Sequence, residues 1–143
     1  MKMRLTLVSS VAAALLANTA IAETETQTSF VLAHIEDLDD GAMTQAQLDN
    51  LAFVAHQATM AAVCDTIVLD TEKFQSAFDE MEHSASAEMT EEEAQGYHGH
   101  VLFLFGMAMG AMMAEASTAP GAFCADALEQ KDDPDMAAYN LFE

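Results

Sequence analysis

Four methionines crowd one stretch of this chain, Met107, Met109, Met112 and Met113, and two histidines, His98 and His100, stand just upstream. Thioether sulfur suits Cu(I) and imidazole suits either oxidation state of copper, so the group invites a soft-metal reading. Helical spacing argues against a single coordination shell. On a helix rising ~1.5 Å per residue, His100 lies roughly 18 Å from Met112. His98 and His100, two residues apart, project to opposite sides. A site around Met109, Met112 and Met113 therefore needs an imidazole from another helix, such as His34 or His56. The same methionine spacing is that of core filler, a role the flexible thioether fills well. Core packing is the expectation, with no cofactor.

Other patterns are weaker. Glu80-x-x-His83 has the i, i+3 spacing of di-iron bundles, which need two such motifs and two further inward glutamates. The chain holds one copy, on a face that also carries Glu72, Gln75, Asp79 and Glu82. Asp39-Asp40-Gly41, set against a calcium loop with Gly41 sixth, places Leu38 third and Gln47 twelfth, where oxygen ligands and a bidentate Glu belong. It reads as a turn. No G-x-S-x-G, H-E-x-x-H, P-loop or Rossmann glycine pattern occurs. Catalysis is not expected.

The chain opens with Lys2 and Arg4, an apolar run from Leu5 to Ala17, and Ala20-Ile21-Ala22. These are the parts of a signal peptide over residues 1–22, cleaved between Ala22 and Glu23. Residues 23–143 then form one domain of a periplasmic or secreted protein. Two of the four basic residues fall in the leader and all 24 acidic ones after it, so residues 23–143 carry a formal −22. They hold no Arg, which removes bidentate anion recognition. Nucleic acid binding, which needs cations to displace counterions, is excluded. Anionic membranes are disfavoured likewise, and the acidic shell itself keeps an exported chain soluble. Cys64 and Cys124, the two cysteines, are expected to form one structural disulfide in an oxidising compartment.

Periodicity organises the rest into an all-α bundle of four to five helices. Ser29 caps a short helix from Phe30 to Leu38, with Phe30, Val31, Ile35 and Leu38 inward and Gly41 at its left-handed end. Thr44 and Gln47 form a capping box opening a second helix from Gln45 to Ile67 or Val68. One of its faces carries Leu48, Leu51, Ala55, Ala58 and Ala62, the other Phe53, Met60, Cys64 and Ile67. Asp70 caps a third helix, Thr71 to Glu88, with Phe74, Ala77, Phe78, Met81 and Ala85 inward. Thr90 and Glu93 make a second capping box for a helix running from Glu91 to Ser117. A fifth spans Ala122 to Gln130, and Asp133-Pro134 starts a last turn that docks Met136, Tyr139 and Phe142.

The fourth helix contains Val101 to Ala114, fourteen residues without a charged, amide or hydroxyl side chain. At roughly 21 Å that run falls short of the ~20 residues a bilayer needs, so it is expected at the bundle centre and not as a membrane span. Gly106, Gly110 and Ala114 recur every four residues on it. Each interior Gly costs about 1 kcal/mol relative to Ala, so the stripe needs a reason. The expected one is a close helix crossing against Ala55, Ala58 and Ala62. A dimer through the stripe is the alternative.

Size, export, helicity and one disulfide resemble the small periplasmic acid-stress chaperones of the HdeA type. Cys64-Asp65 followed by Asp70 and Phe74-Gln75 is similar to part of that family's first-cysteine segment, though the cysteine separation is longer and the chain larger. The resemblance implies an acid-responsive holdase. Protonating every carboxylate and all five His would swing the charge of residues 23–143 from −22 to +7. The leading expectation is a non-catalytic extracytoplasmic module that binds an unknown protein or small ligand. The holdase and a Met/His copper binder are the alternatives.

Overall fold

Local capping decides where the helices begin. The computed structural model describes residues 27–86 and 88–143; the expected leader and its cleavage point lie outside them. Five helices follow in order: α1 Gln27–Asp39, α2 Gln45–Val63, α3 Thr71–Ser86, α4 Glu91–Ala116 and α5 Pro120–Asp132. Both capping boxes form, Thr44 with Gln47 and Thr90 with Glu93. The Glu93 carboxyl is held below the usual range, first by the Thr90 backbone N–H and then by its hydroxyl. Asp70 Oδ1 accepts the N–H groups of Lys73 and Glu72, and the Lys73 bond leads in lowering its pKa. After α1, Asp40 and Gly41 both take positive φ, 51° and 79°, as a left-handed helix ending requires.

The ends that differ from expectation do so for physical reasons. The second helix stops at Val63, because Cys64 turns to extended backbone where its sulfur meets Cys124. Pro120 starts α5, its fixed φ suiting the first helical position. The segment after Pro134 is a run of turns, with Asp133 Oδ1 accepting the Asp135 N–H at 2.9 Å.

The larger core joins Leu48, Leu51, Val54 and Ala55 of α2, Phe78 and Met81 of α3, and Val101, Leu104, Ala108 and Met112 of α4. On α1, Ile35 is buried, whereas Phe30 and Leu38, expected inward, are exposed. Ala62 is exposed too. The side chains of Ala85 and His83 lie outside the described set. A smaller core gathers Met60, Cys64, Ile67, Ala127 and Phe142 around the disulfide. The chain's end is stitched over it. Buried Gln57 donates to the Tyr139 carbonyl and accepts the Leu141 N–H. Leu69 pairs with Phe142 in an isolated antiparallel bridge. Lys73 Nζ donates to the Phe142 carbonyl at 2.7 Å. Leu141 and Phe142 are buried, while Tyr139 faces water.

Cys64 and Cys124 bond across 60 residues, with Cα atoms 5.5 Å apart, and so tie the end of α2 to α5. Closing a loop of that length stabilises by about 4 kcal/mol in the chain-entropy model. Reduction is therefore expected to lower the thermal midpoint by more than 10 °C, roughly 4 °C or more per kcal/mol. Calorimetry with and without reductant checks this, and overlapping melts would show the bridge to be dispensable.

Candidate functional site

Chemistry-bearing side chains concentrate on α4. Its acidic first turn, Glu91 to Glu93, complements the helix dipole, and no Asp, Glu, Lys or Arg follows until Glu115. His98 Nδ1 pairs with Glu82 of α3. His100 Nε2 lies 3.0 Å from Asp39 Oδ1, and the Asp39 side chain is fully buried. Asp39 Oδ2 also accepts the Met43 N–H at 2.8 Å, which accounts for both carboxylate oxygens. Gln47 completes this polar knot, donating to the Met81 carbonyl and to the Tyr97 hydroxyl. Burial, then the nearby Asp39 and Glu82 charges, raise the Tyr97 pKa and keep it a neutral phenol. The histidines thus pin α4 to its neighbours on opposite sides, as their spacing requires.

The three methionines do not come together. Met112 is in the core, Met109 packs half-buried against it, and Met113 is 39% exposed. Nor do Gly106, Gly110 and Ala114 sit in a helix crossing, contrary to expectation. All three are exposed, and a Cβ placed at either glycine would meet nothing within 4 Å. The α2–α4 packing is made instead by the stripe half a turn away, where Val101, Leu104 and Ala108 have no exposure. Gly99, equally open, extends the exposed side, and Leu102 (46% exposed) and Phe103 (57%) flank it. By length and composition α4 is the one described helix that could cross a membrane, yet 33% of its most apolar stretch is buried in the bundle.

A second feature was invisible in the sequence because four elements build it. Between α1, α2, α4 and α5 lies a cleft of about 590 Å³ lined by Leu32, Phe53, Met112, Phe123, His56 and Glu115 among others. His56 stacks edge-on against Phe123, with ring centroids 6.1 Å apart. Desolvation lowers its pKa, so the imidazole is neutral at neutral pH. His56 is the imidazole that a copper site at Met112 required, but Met109 and Met113 are not in the cleft wall. Among the described residues no group of three or more His, Cys, Asp or Glu is placed to hold a metal ion.

Comparison with known proteins adds no relative: no family model, curated protein or solved structure matches the chain.

Two outcomes follow from these placements. Gly106→Ala and Gly110→Ala should each raise stability by roughly 0.5–1 kcal/mol, since open helical positions gain propensity without a clash. Urea unfolding measures this, and a loss above about 1 kcal/mol at both would restore the crossing. For His56, the folded pKa lies below the unfolded value of about 6.5, so its contribution to stability is complete above that pH. It is lost as pH falls from about 6.5 to the lower folded value, because the unfolded chain takes up the proton first. His56→Gln should flatten that part of the stability curve.

Proposed function

We propose that this chain is a non-catalytic extracytoplasmic interaction protein and that the open side of α4 is its interacting face. One observation carries the reading: Leu102, Phe103 and Met113, three of the eight large hydrophobics exposed among the described residues, stand on one helix beside three glycines that meet nothing. Monomeric proteins seldom leave such contiguous apolar surface to water unless it engages something.

A second copy of this chain is the occupant that the face fits. The exposed positions repeat symmetrically about position 108, so an antiparallel α4 pair sets Gly106 against Gly110 and Phe103 against Met113. Leu102 then meets Ala114, and Gly99 meets Ser117. Small residues meet at Gly106–Gly110 and Gly99–Ser117, large ones at Phe103–Met113, and each pair recurs on the other half of the seam, as a two-fold interface requires. A basic partner would find no carboxylate on this stretch to pair with. The acidic residues lie beyond its ends, where two copies repel one another.

Sedimentation of the mature chain tests the proposal. Self-association is expected, and it strengthens from about 0.02 M to about 0.5 M salt as the repulsion is screened. Phe103→Glu with Met113→Glu should leave a folded monomer. A wild-type chain monomeric at every salt and concentration removes the second copy as occupant. Association weakened by salt would point to ionic contacts instead.

The acid-responsive holdase is favoured by a different observation, the His98–Glu82 and His100–Asp39 pairs that pin α4. Disrupting both pairs would release α4 from α1 and α3 and free it to move. Protection of an aggregating client at about pH 3, appearing already at neutral pH in His100→Ala with Asp39→Asn, is the test of that reading.

A further inference from the structure

The cleft around His56 makes no use of the α4 face and carries an inference of its own. Its size falls in the range of small-molecule sites. Leu32 of α1, Phe53 of α2, Met112 of α4 and Phe123 of α5 give it apolar walls, so an occupant with an apolar body is stabilised by leaving water. Thr28, Thr118 and His56 line it with groups that can both donate and accept. Glu115 and Asp126 contribute carboxylates, and no Lys or Arg lines it. Glu115 Oε2 receives a single long contact, the Thr28 N–H at 3.3 Å, which leaves most of its acceptor capacity free.

His56 completes the pattern. Among the described residues its imidazole has no hydrogen-bond partner, and no buried side-chain nitrogen or oxygen is left unsatisfied. Its nitrogens are therefore accessible to solvent, and the residue lines the cleft. Being neutral, it adds no positive charge to the wall. An anionic ligand would meet two carboxylates and no cation. An ammonium group would meet both carboxylates and a wall that includes the rings of Phe53 and Phe123. Cu(I) would find Met112 and His56 alone as soft donors, too few for a tight site.

We propose that this cleft binds a small organic cation, an ammonium group carried on an aromatic or aliphatic body. Phe123 adjoins Cys124, so the disulfide holds the α5 wall of the cleft in place. Reduction should weaken binding even where the bundle survives it.

Three probes of one shape separate charge from fit: 2-phenylethylamine, 2-phenylethanol and phenylacetate. Each is titrated into the isotope-labelled mature chain at about 0.15 M salt, with amide shifts read by NMR. The amine is expected to perturb residues 52–56, 112–118 and 122–126. It should bind about tenfold or more tighter than the alcohol, the scale of one charge-assisted hydrogen bond. Phenylacetate should not bind. Glu115→Gln with Asp126→Asn should erase the amine's advantage while retaining the alcohol's weak binding, which shows that the cleft itself is intact. Equal binding of amine and alcohol overturns the proposal, as do amine shifts scattered over the acidic surface. Tight stoichiometric Cu(I) binding lost in His56→Gln and in Met112→Leu would also overturn it, assigning the cleft to a metal. None of these results depends on the α4 dimer, since Phe103→Glu with Met113→Glu should leave amine binding unchanged.

Discussion

Val101, Leu104 and Ala108 of α4 meet no water, nor do Leu51 and Ala55 of α2, and these residues form the centre of the larger core. That burial is the constraint on which the rest depends. Truncating a fully buried leucine here, Leu51 or Leu104, would remove about 2–5 kcal/mol, a large part of what keeps any domain folded. With this face of α4 committed to the core, helical geometry sends residues half a turn away to the outside. The exposure of Leu102, Phe103, Gly106, Gly110 and Met113 is thus a consequence of packing. It also fixes the histidines, which leave the same helix toward α1 and α3 because they are two residues apart.

The second core obeys a different logic. Met60, Cys64, Ile67, Ala127 and Phe142 come from three distant parts of the chain, and their cohesion rests on covalent and polar ties. The disulfide brings α5 in. Gln57 brings the chain's end in by donating to the Tyr139 carbonyl and accepting the Leu141 N–H, which would otherwise be buried and unpaired. An unsatisfied buried backbone group costs about as much as a lost hydrogen bond, so Gln57 is more than a polar residue tolerated in a core. One wall of the His56 cleft stands on this second assembly, and the others belong to the first.

What the sequence made legible was local or arithmetical. Thr44 with Gln47 and Thr90 with Glu93 act across three residues, so no distant information was needed to place those helix starts. The disulfide followed from there being only two cysteines. The orientation of α4 was not legible, because a helix apolar on every side has no periodicity to say which face is buried. The glycines were read as signs of close packing, yet they occupy the open side, where nothing nearby demands their small size. Nothing local marks the partnership of Gln57 with Leu141, because it spans more than eighty residues. In the sequence His56 stands out only as a possible partner for a site at Met112. Its cleft exists because α1, α4 and α5 close around α2, and no spacing within any one of them encodes that.

The two candidate surfaces share α4 without sharing residues. The open face runs through Leu102, Gly106, Gly110 and Met113, whereas the cleft takes Met112, Glu115 and Ala116 from the other side of the same helix. Close-packed interiors transmit displacement, and α4 is rigid along its buried seam. A partner that shifted α4 along its axis would therefore move Met112 and Glu115 against a wall anchored by Cys64–Cys124. The polar knot opposes such a shift at the other end, since His100 and Asp39 are already matched and Asp39 is fully buried. Breaking that pair leaves buried Asp39 Oδ1 without its partner, at a cost of roughly 1–3 kcal/mol. The proposed association on the open face would thus be insulated from the cleft as long as the knot holds. The knot is what determines whether the two surfaces act separately or together.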